Sequence, residues 1–301
     1  MARDENVQLQ YAHKGFDIVI PQYKSRRNRA YKSMVRVMTM NEAYMWVGSD
    51  ADLPTAPIVN PNQPLDDVDF SVPFERKYGW KKRGHKFSYD RAMKRSDVFG
   101  LIAKIGPKLI ESIERAKEID VAGFMNYATG SNADLVTPDG LSIANAAHPL
   151  ANGFYSNIIA TNPALSADAV ANAANAMLLQ PSYGGNPEGP EGPFDLWVHP
   201  NLRARAVEIM KTVGQWGTAN NNFNFAGSLI ADVKFNRYFQ STMAWALVAR
   251  DEENPFVFLD RDPLRSNSWY DGDFDQNRSS VTEGWGLMPK DWRGFAYSAG
   301  G

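Results

Sequence analysis

Between Asp97 and Tyr127, apolar residues recur at steps of three or four. Val98, Ile102, Ile105, Leu109, Ile113 and Ala116 fall on one stripe. That period predicts an amphipathic helix. At ~1.5 Å per residue it would exceed about 40 Å in length. Gly106-Pro107 sits inside it. Proline removes one helical hydrogen bond and clashes with the preceding turn, which predicts a kink or short break. A long helix with a single apolar stripe needs a sheet to lie on. Met34, Arg36 and Met38 alternate with Val35, Val37 and Thr39, a weak strand signal over Met34 to Met40. Ser166 suits the N-cap of a second helix through about Leu179, with Asp168 in its first turn and an Ala-rich run behind it. Phe194 to Val198 is strand-like, and Pro200 fits the first turn of a third helix ending near Lys211. Further strands are predicted at Ser228 to Phe235, Met243 to Arg250, Pro255 to Leu259 and Gly284 to Tyr297. No internal repeat is present. The sum is an α+β protein with one long helix and several antiparallel strands.

Two stretches lack periodicity. Residues 1–33 read as an extended arm, made basic by Lys24, Arg26, Arg27, Arg29 and Lys32. Met45 to Phe74 is a long excursion holding Pro54, Pro57, Pro61, Pro64 and Pro73, with no lysine. Compact domains rarely carry so long an excursion unless it is functional. With little core of its own, it is expected to rest on another subunit.

At 301 residues the chain can form one large domain or two modest ones. Its 44% apolar content and eight Trp exclude a disordered chain. Cysteine is absent, which excludes disulfides, thiolate metal sites and a Cys nucleophile, and suits a reducing compartment. Met1 to Ile20 lacks the apolar core of a signal peptide. The longest apolar run, Met243 to Ala249, is far short of the ~20 residues that span a bilayer. A soluble protein is predicted.

The net charge of −2 hides an asymmetry. Residues 1–120 carry 21 Lys and Arg against 16 Asp and Glu, and the remainder carries 11 against 18. Between Arg76 and Arg95 stand nine basic residues and one acid, Asp90. Such a distribution favours head-to-tail contact between copies or a face turned to a polyanion. An ordinary solvated basic face is the plainer alternative.

No catalytic constellation stands out. His13, His85, His148 and His199 are far apart and outside metal-ligand spacing, so structural or surface roles are expected. Pro181 to Pro193 is Gly-rich but carries Glu188 and Glu191 where a phosphate loop needs a cation, so it reads as a plain loop. Asp271, Asp273 and Asp275 alternate as in a calcium loop. Gln276 and Thr282, however, replace the Gly and Glu such a loop requires, leaving a solvated acidic turn.

Asp139-Gly140-Leu141-Ser142-Ile143 followed by Ala147-His148-Pro149 resembles a segment of tailed-bacteriophage major capsid proteins, including the Mu-like branch. Ile143-Ala144 departs from the commoner Leu-Phe of that segment. Asn41 to Gly48 (NEAYMWVG) resembles the run into that family's extended loop. His85 to Arg91 (HKFSYDR) resembles its return strand and the entry to its spine helix. Phe194 to Asn201 (FDLWVHPN) resembles its strand-to-helix step. Gly284-Trp285-Gly286 with Asp291-Trp292-Arg293-Gly294 resembles its closing strands. Each motif alone is weak. Their co-linear order, over roughly residues 30–298, is the specific signal.

The resemblance implies the Hong Kong 97-like capsid fold. Its parts would be an N-terminal arm (1–33), an extended loop with flanking strands (34–96), a peripheral domain with spine helix and long sheet (97–139 and 250–301) and an axial domain (140–249). It implies a major head protein that self-assembles into pentamers and hexamers of an icosahedral shell around double-stranded DNA. No catalysis, cofactor or metal is implied. Portal, scaffolding and decoration proteins are the implied partners, and the virion capsid, assembled in the host cytoplasm, is the implied location. Some relatives cross-link through a lysine of the extended loop. None lies between Asn41 and Arg76, so this grip is expected to be non-covalent. No scaffolding region is visible before the short arm, so a separate scaffolding protein is expected unless the chain is already processed. The residues expected at subunit contacts are Trp46, Phe70 and Phe74 as aromatic anchors, and Asp66, Asp67 and Asp69 facing Lys81, Lys82 and Arg83 of a neighbour. Packing of the aromatics within their own subunit, and DNA as the partner of the basic stretch, are the alternatives. Rival readings of the whole chain are an encapsulin-type nanocompartment shell and a hydrolase or carbohydrate-binding domain.

Overall fold

The computed structural model describes residues 30–49, 56–60, 64, 65, 67, 72–97, 101–130, 132–212, 214 and 224–301. Lys24, Arg26, Arg27 and Arg29 of the arm, Val98 of the helical stripe, and Asp66, Asp69 and Phe70 of the loop lie outside these residues. The helices are α1 (Ala30–Met34), α2 (Arg91–Arg95), α3 (Leu101–Asn126), α4 (Ala167–Leu178), α5 (Arg203–Lys211) and α6 (Ala226–Leu229). The strands are β1 (Arg36–Thr39), β2 (Tyr44–Ser49), β3 (Phe74–Gly79), β4 (Lys81–Asp90), β5 (His148–Leu150), β6 (Gly153–Tyr155), β7 (Phe194–Val198), β8 (Ile230–Phe235), β9 (Trp245–Val248), β10 (Phe256–Asp271), β11 (Gln276–Pro289) and β12 (Phe295–Ser298).

The predicted long helix is α3. It continues through Pro107 without the expected break. One missing hydrogen bond in a helix of 26 residues is outweighed by its packing. The buried face runs from the middle of the helix to its end, at Ile110, Ile113, Val121, Ala122, Phe124 and Met125. Ile102, Ile105 and Leu109 are only half-buried. The sheet beneath has the order β1-β10-β11-β4. Phe256 and Phe258 of β10 point into the α3 core, where Phe124 stacks on Phe256 at 4.5 Å. Val257 and Leu259 point the opposite way, into a second cluster with Met40, Val47, Tyr78 and Met288. Burial on both faces explains the unbroken apolar run Phe256 to Leu259.

Beyond Leu259, β10 continues to Asp271 and pairs with β11 through a long antiparallel ladder, irregular between Asp260 and Arg265. The sequence pattern predicts a strand ending at Leu259, because the outer half carries few buried residues to mark it. The acidic turn Asp271 to Asp275 forms the tip of this hairpin.

A second sheet, β12-β9-β7-β8, carries its own core. Helix α4 packs on it through Ala169, Val170, Ala173, Ala174 and Met177, and Ser166 Oγ accepts from the Ala169 N–H at 3.2 Å, as its N-cap role requires. The last strand, β12, pairs with β9, so the chain end returns to this sheet.

Several expectations need correction. The end of the arm is helical: Tyr31 and Met34 of α1 are buried against α3, where tertiary contact overrides the lack of local periodicity. Met34 therefore belongs to α1, and the first strand is only Arg36–Thr39. Several strand pairs are antiparallel as expected, and each four-stranded sheet adds one parallel pair, β1 with β10 and β7 with β8. Ala226–Leu229 forms a helical turn before β8, and the segment from Gly284 to Tyr297 divides between β11 and β12.

One buried ionic group ties α3 to the sheet. Lys117 Nζ donates to Glu283 Oε1 of β11 at 2.5 Å and to Glu114 Oε1 at 3.4 Å, beneath the rings of Tyr31 and Trp285. Burial pushes the Glu283 carboxyl above its ordinary range, against the pull of Lys117. Removing one partner of such a buried group leaves uncompensated charge and costs about 3–5 kcal/mol. Lys117→Met is expected to destabilise by that amount in urea denaturation, and adding Glu283→Leu is expected to recover much of the loss.

Candidate inter-subunit surface

The excursion after β1 has a built stem. β2 and β3 pair antiparallel from Tyr44↔Gly79 to Ser49↔Phe74, so the loop proper is shorter than the aperiodic stretch. Side chains alternate across this ribbon. Val47, Tyr78 and Met45 pack on Val257, Leu259 and Met288. The Tyr78 hydroxyl donates to the carbonyls of Val136 (2.8 Å) and Pro289 (3.0 Å), and burial raises its phenol well above the ordinary value. Trp46 points the other way and is 63% exposed. Phe74 at the ribbon's outer end meets the edge of Tyr183 at 5.7 Å, so its described contact is within its own subunit. In the loop, Ile58 is 97% and Leu65 80% exposed, and Asp67 is exposed with no ionic partner among the described residues.

The basic stretch is largely the strand β4, and strand geometry splits it. His85 lies opposite Val281, which is buried under α3, so the odd-numbered residues face the helix. Lys81 pairs with Asp134. Arg83 Nη2 lies 2.8 Å from Asp120 Oδ2 and its guanidinium covers the Trp285 ring, whose Nε1 donates to Asp120 at 2.8 Å. Burial pushes the Asp120 carboxyl up, while Arg83 and Trp285 oppose it. In β3, Arg76 donates to the Ala133 carbonyl at 2.9 Å, and Lys77 lies over the Tyr44 ring. Arg76, Lys81 and Arg83 thus bind the strands to the C-terminal part of α3 and the turn after it, while Lys77 stays within the ribbon. Lys82 stands on the opposite face, exposed, with no ionic partner among the described residues.

The segment Asp139 to Pro149 is a structural knot beside the loop stem. Gly140 adopts φ +82°, a conformation that side chains disfavour. That turn lets Asp139 Oδ1 accept from Thr137 Oγ1 (2.5 Å) and the Leu141 N–H (3.1 Å), while Oδ2 meets His148 Nδ1 at 2.6 Å. His148 is fully buried and stacks on Trp292 at 4.6 Å, with Tyr155 against the same indole. Asp139, His148 and Trp292 thus join the exit of α3, the β5–β6 hairpin and the turn before β12. Burial alone would raise the Asp139 carboxyl, but the bonds from His148 and Thr137 hold it below the ordinary carboxylate range.

A family of phage capsid proteins matches residues 75–298. The chain belongs to that family. Solved capsids share its shape at low identity. The capsid of cyanophage P-SCSP1u has a TM-score of 0.59 at 11% identity, covering 90% of this chain and 88% of that one. The capsid of the native GTA particle gives 0.58 at 13%, covering 90% of each. The capsid of Myoviridae phage XM1 gives 0.56 at 9%, covering 89% of this chain and 90% of that one. No curated protein matches the sequence. At such identities the likeness is one of fold, and this capsid protein has the α+β, Hong Kong 97-like fold.

The capsid protein's expected contact residues are thus distributed unevenly. Trp46 and Asp67 are exposed, Phe74 packs on its own subunit, Lys81 and Arg83 are paired internally, and Lys82 is open. The Asp139–His148 pair went unread in the sequence, because nothing in its spacing identifies two residues of one irregular turn as partners. The depressed Asp139 pKa carries a sign. Its stabilisation is present above the ordinary carboxylate value of about 3.9 and is lost as pH falls through the lower folded value. Asp139→Asn is expected to cost about 1–3 kcal/mol at pH 7, with the gap closing below about pH 4 in thermal unfolding.

Proposed function

We propose that this capsid protein assembles into pentamers and hexamers of an icosahedral shell enclosing phage double-stranded DNA. The family match over residues 75–298 carries the reading. In the assembly, residues 140–249 form the axial domain at the five- and six-fold positions. Residues 97–139 and 250–301 form the peripheral domain, with 34–96 as extended loop and flanking strands. The arm ahead of α1 laces under or across the next copy. The exposed Trp46, Ile58 and Leu65 support a loop that grips a neighbour by apolar burial, with Phe70 as a further anchor. Phe74 instead fixes the stem through Tyr183. The role is structural, without catalysis. Scaffolding, portal and decoration proteins and DNA are its proposed partners, and assembly takes place in the host cytoplasm.

Electron microscopy of the purified protein tests this reading. Closed shells with five- and six-fold capsomers are expected, and a discrete small oligomer would count against it. Trp46→Ala is expected to leave subunit unfolding unchanged within about 0.5 kcal/mol while lowering shell yield. Because no lysine lies between Asn41 and Arg76, mature shells are expected to run as single chains on denaturing gels. A ladder of linked chains would refute a non-covalent grip.

A further inference from the structure

We propose that the outward ridge of α3, carried by Lys104, Lys108 and Arg115, lies against the phosphate backbone of the enclosed duplex, so that the helix side of the long sheet is the inner face of the shell. This rests on the shell reading above and names the residues that contact DNA and the face that carries them.

Helix α3 is electrically balanced along its sequence. It holds Lys104, Lys108, Arg115 and Lys117 against Glu111, Glu114, Glu118 and Asp120. Folding separates the two signs. Glu114 is buried with Lys117, Glu118 accepts from the Tyr31 N–H at 3.3 Å, and Asp120 is held by Arg83 and Trp285. Glu111 is half-buried. Lys104, Lys108 and Arg115 are exposed, with no ionic partner among the described residues. Every exposed charge on α3 is therefore positive.

Their spacing makes one surface of them. At about 100° per residue, steps of four and seven residues return to nearly the same side of a helix, so the three cations form a row. At ~1.5 Å per residue that row is about 16 Å long, on a rigid element. Lys94 and Arg95 of α2, exposed and likewise without an ionic partner among the described residues, add to the charge just ahead of α3. Ile119 is the one large apolar side chain exposed on the helix among its described side chains. A protein partner needs apolar anchors in such a surface. A one-signed row with almost none suits a polyanion whose charges repeat at short, regular intervals. The loop stem packs on the opposite face of the sheet, through Val47 and Tyr78 against Val257 and Leu259, and leaves the row uncovered.

Each phosphate contact adds about 0.9 to the slope of log affinity against log salt, so the contact is salt-dependent in proportion to the cations that make it. The full chain is assembled with a short fluorescent DNA duplex, the shells are treated with nuclease, and the protected duplex is measured across a sodium chloride series. Lys104→Gln/Lys108→Gln/Arg115→Gln is expected to fold, by circular dichroism, and to form shells seen by electron microscopy. Those shells are expected to protect about tenfold less duplex, with a flatter salt dependence. Lys104→Arg/Lys108→Arg/Arg115→Lys, which keeps the charge, is expected to protect as the unaltered chain does. So is Lys82→Gln/Lys86→Gln, which alters the opposite face of the sheet. Unchanged protection by the charge-removing triple variant, or an equal loss in the Lys82/Lys86 variant, would overturn the assignment. A triple variant that folds but does not assemble would overturn it in favour of a protein partner on the ridge. If the unaltered chain forms no shells, the shell reading itself fails. If its shells form but protect no duplex, only the DNA-facing ridge fails.

Discussion

The long sheet and both of its faces depend on one contact: α3 lying across β10 and β11. The contact is apolar at Phe124, Phe256 and Phe258, and ionic where Lys117 reaches Glu283. Apolar packing supplies the driving force but tolerates sliding. A buried cation held between two carboxylates does not tolerate it, because any shift strands a charge away from water. The combination holds the long helix in one register on the sheet. Helix α1 is then added through Tyr31 and Met34, which pack on surfaces that exist only once α3 is in place.

That register also decides what β4 can do. Pairing Lys81 through Asp90 along β11 sends alternate side chains to opposite sides of the sheet. The odd side chains find Asp134 and Asp120 near the end of α3 and become part of the subunit's own wiring. The even ones are left facing outward. A stretch that reads as a single block of positive charge is therefore two surfaces with different chemistry, an internal tether and an open cationic row. The loop stem packs on the same side of the sheet as the open row.

Much of the architecture was legible from periodicity. The α3 stripe, the Ser166 cap, the buried run Phe194 to Val198 and the start at Pro200 all rest on local rules that hold wherever the segment ends up. The misreadings share a cause. The α1 turn, the outer half of β10 and the stem of the excursion have weak or half-exposed patterns, and α1 and the stem are held by partners outside their own segments, while the outer half of β10 is held by the other strand of its hairpin. The parallel pairing of β1 with β10 joins residues more than two hundred positions apart, which no local pattern can report. At the candidate surface, charge and aromatic content singled out the stretch. The division of Lys81 and Arg83 from Lys82 did not show, because it depends on which neighbour β4 pairs with.

By itself, the sequence determined the α+β class, the single long helix and the lysine-free acidic loop. It also settled the exclusion of cysteine chemistry and, through the order of its motifs, the resemblance to a capsid subunit. These follow from composition and near-neighbour periodicity, which need no folding partner to be read. The tertiary structure alone decided that Asp139 and His148 form a buried pair, that Lys117 is the ionic pin of the helix and that the basic stretch has two faces. The last two rest on pairing between segments remote in the chain, and the first joins residues nine positions apart across an irregular turn that local pattern does not report. The energy of such a contact depends on burial and register, and both come into being only when the sheet has closed under the helix.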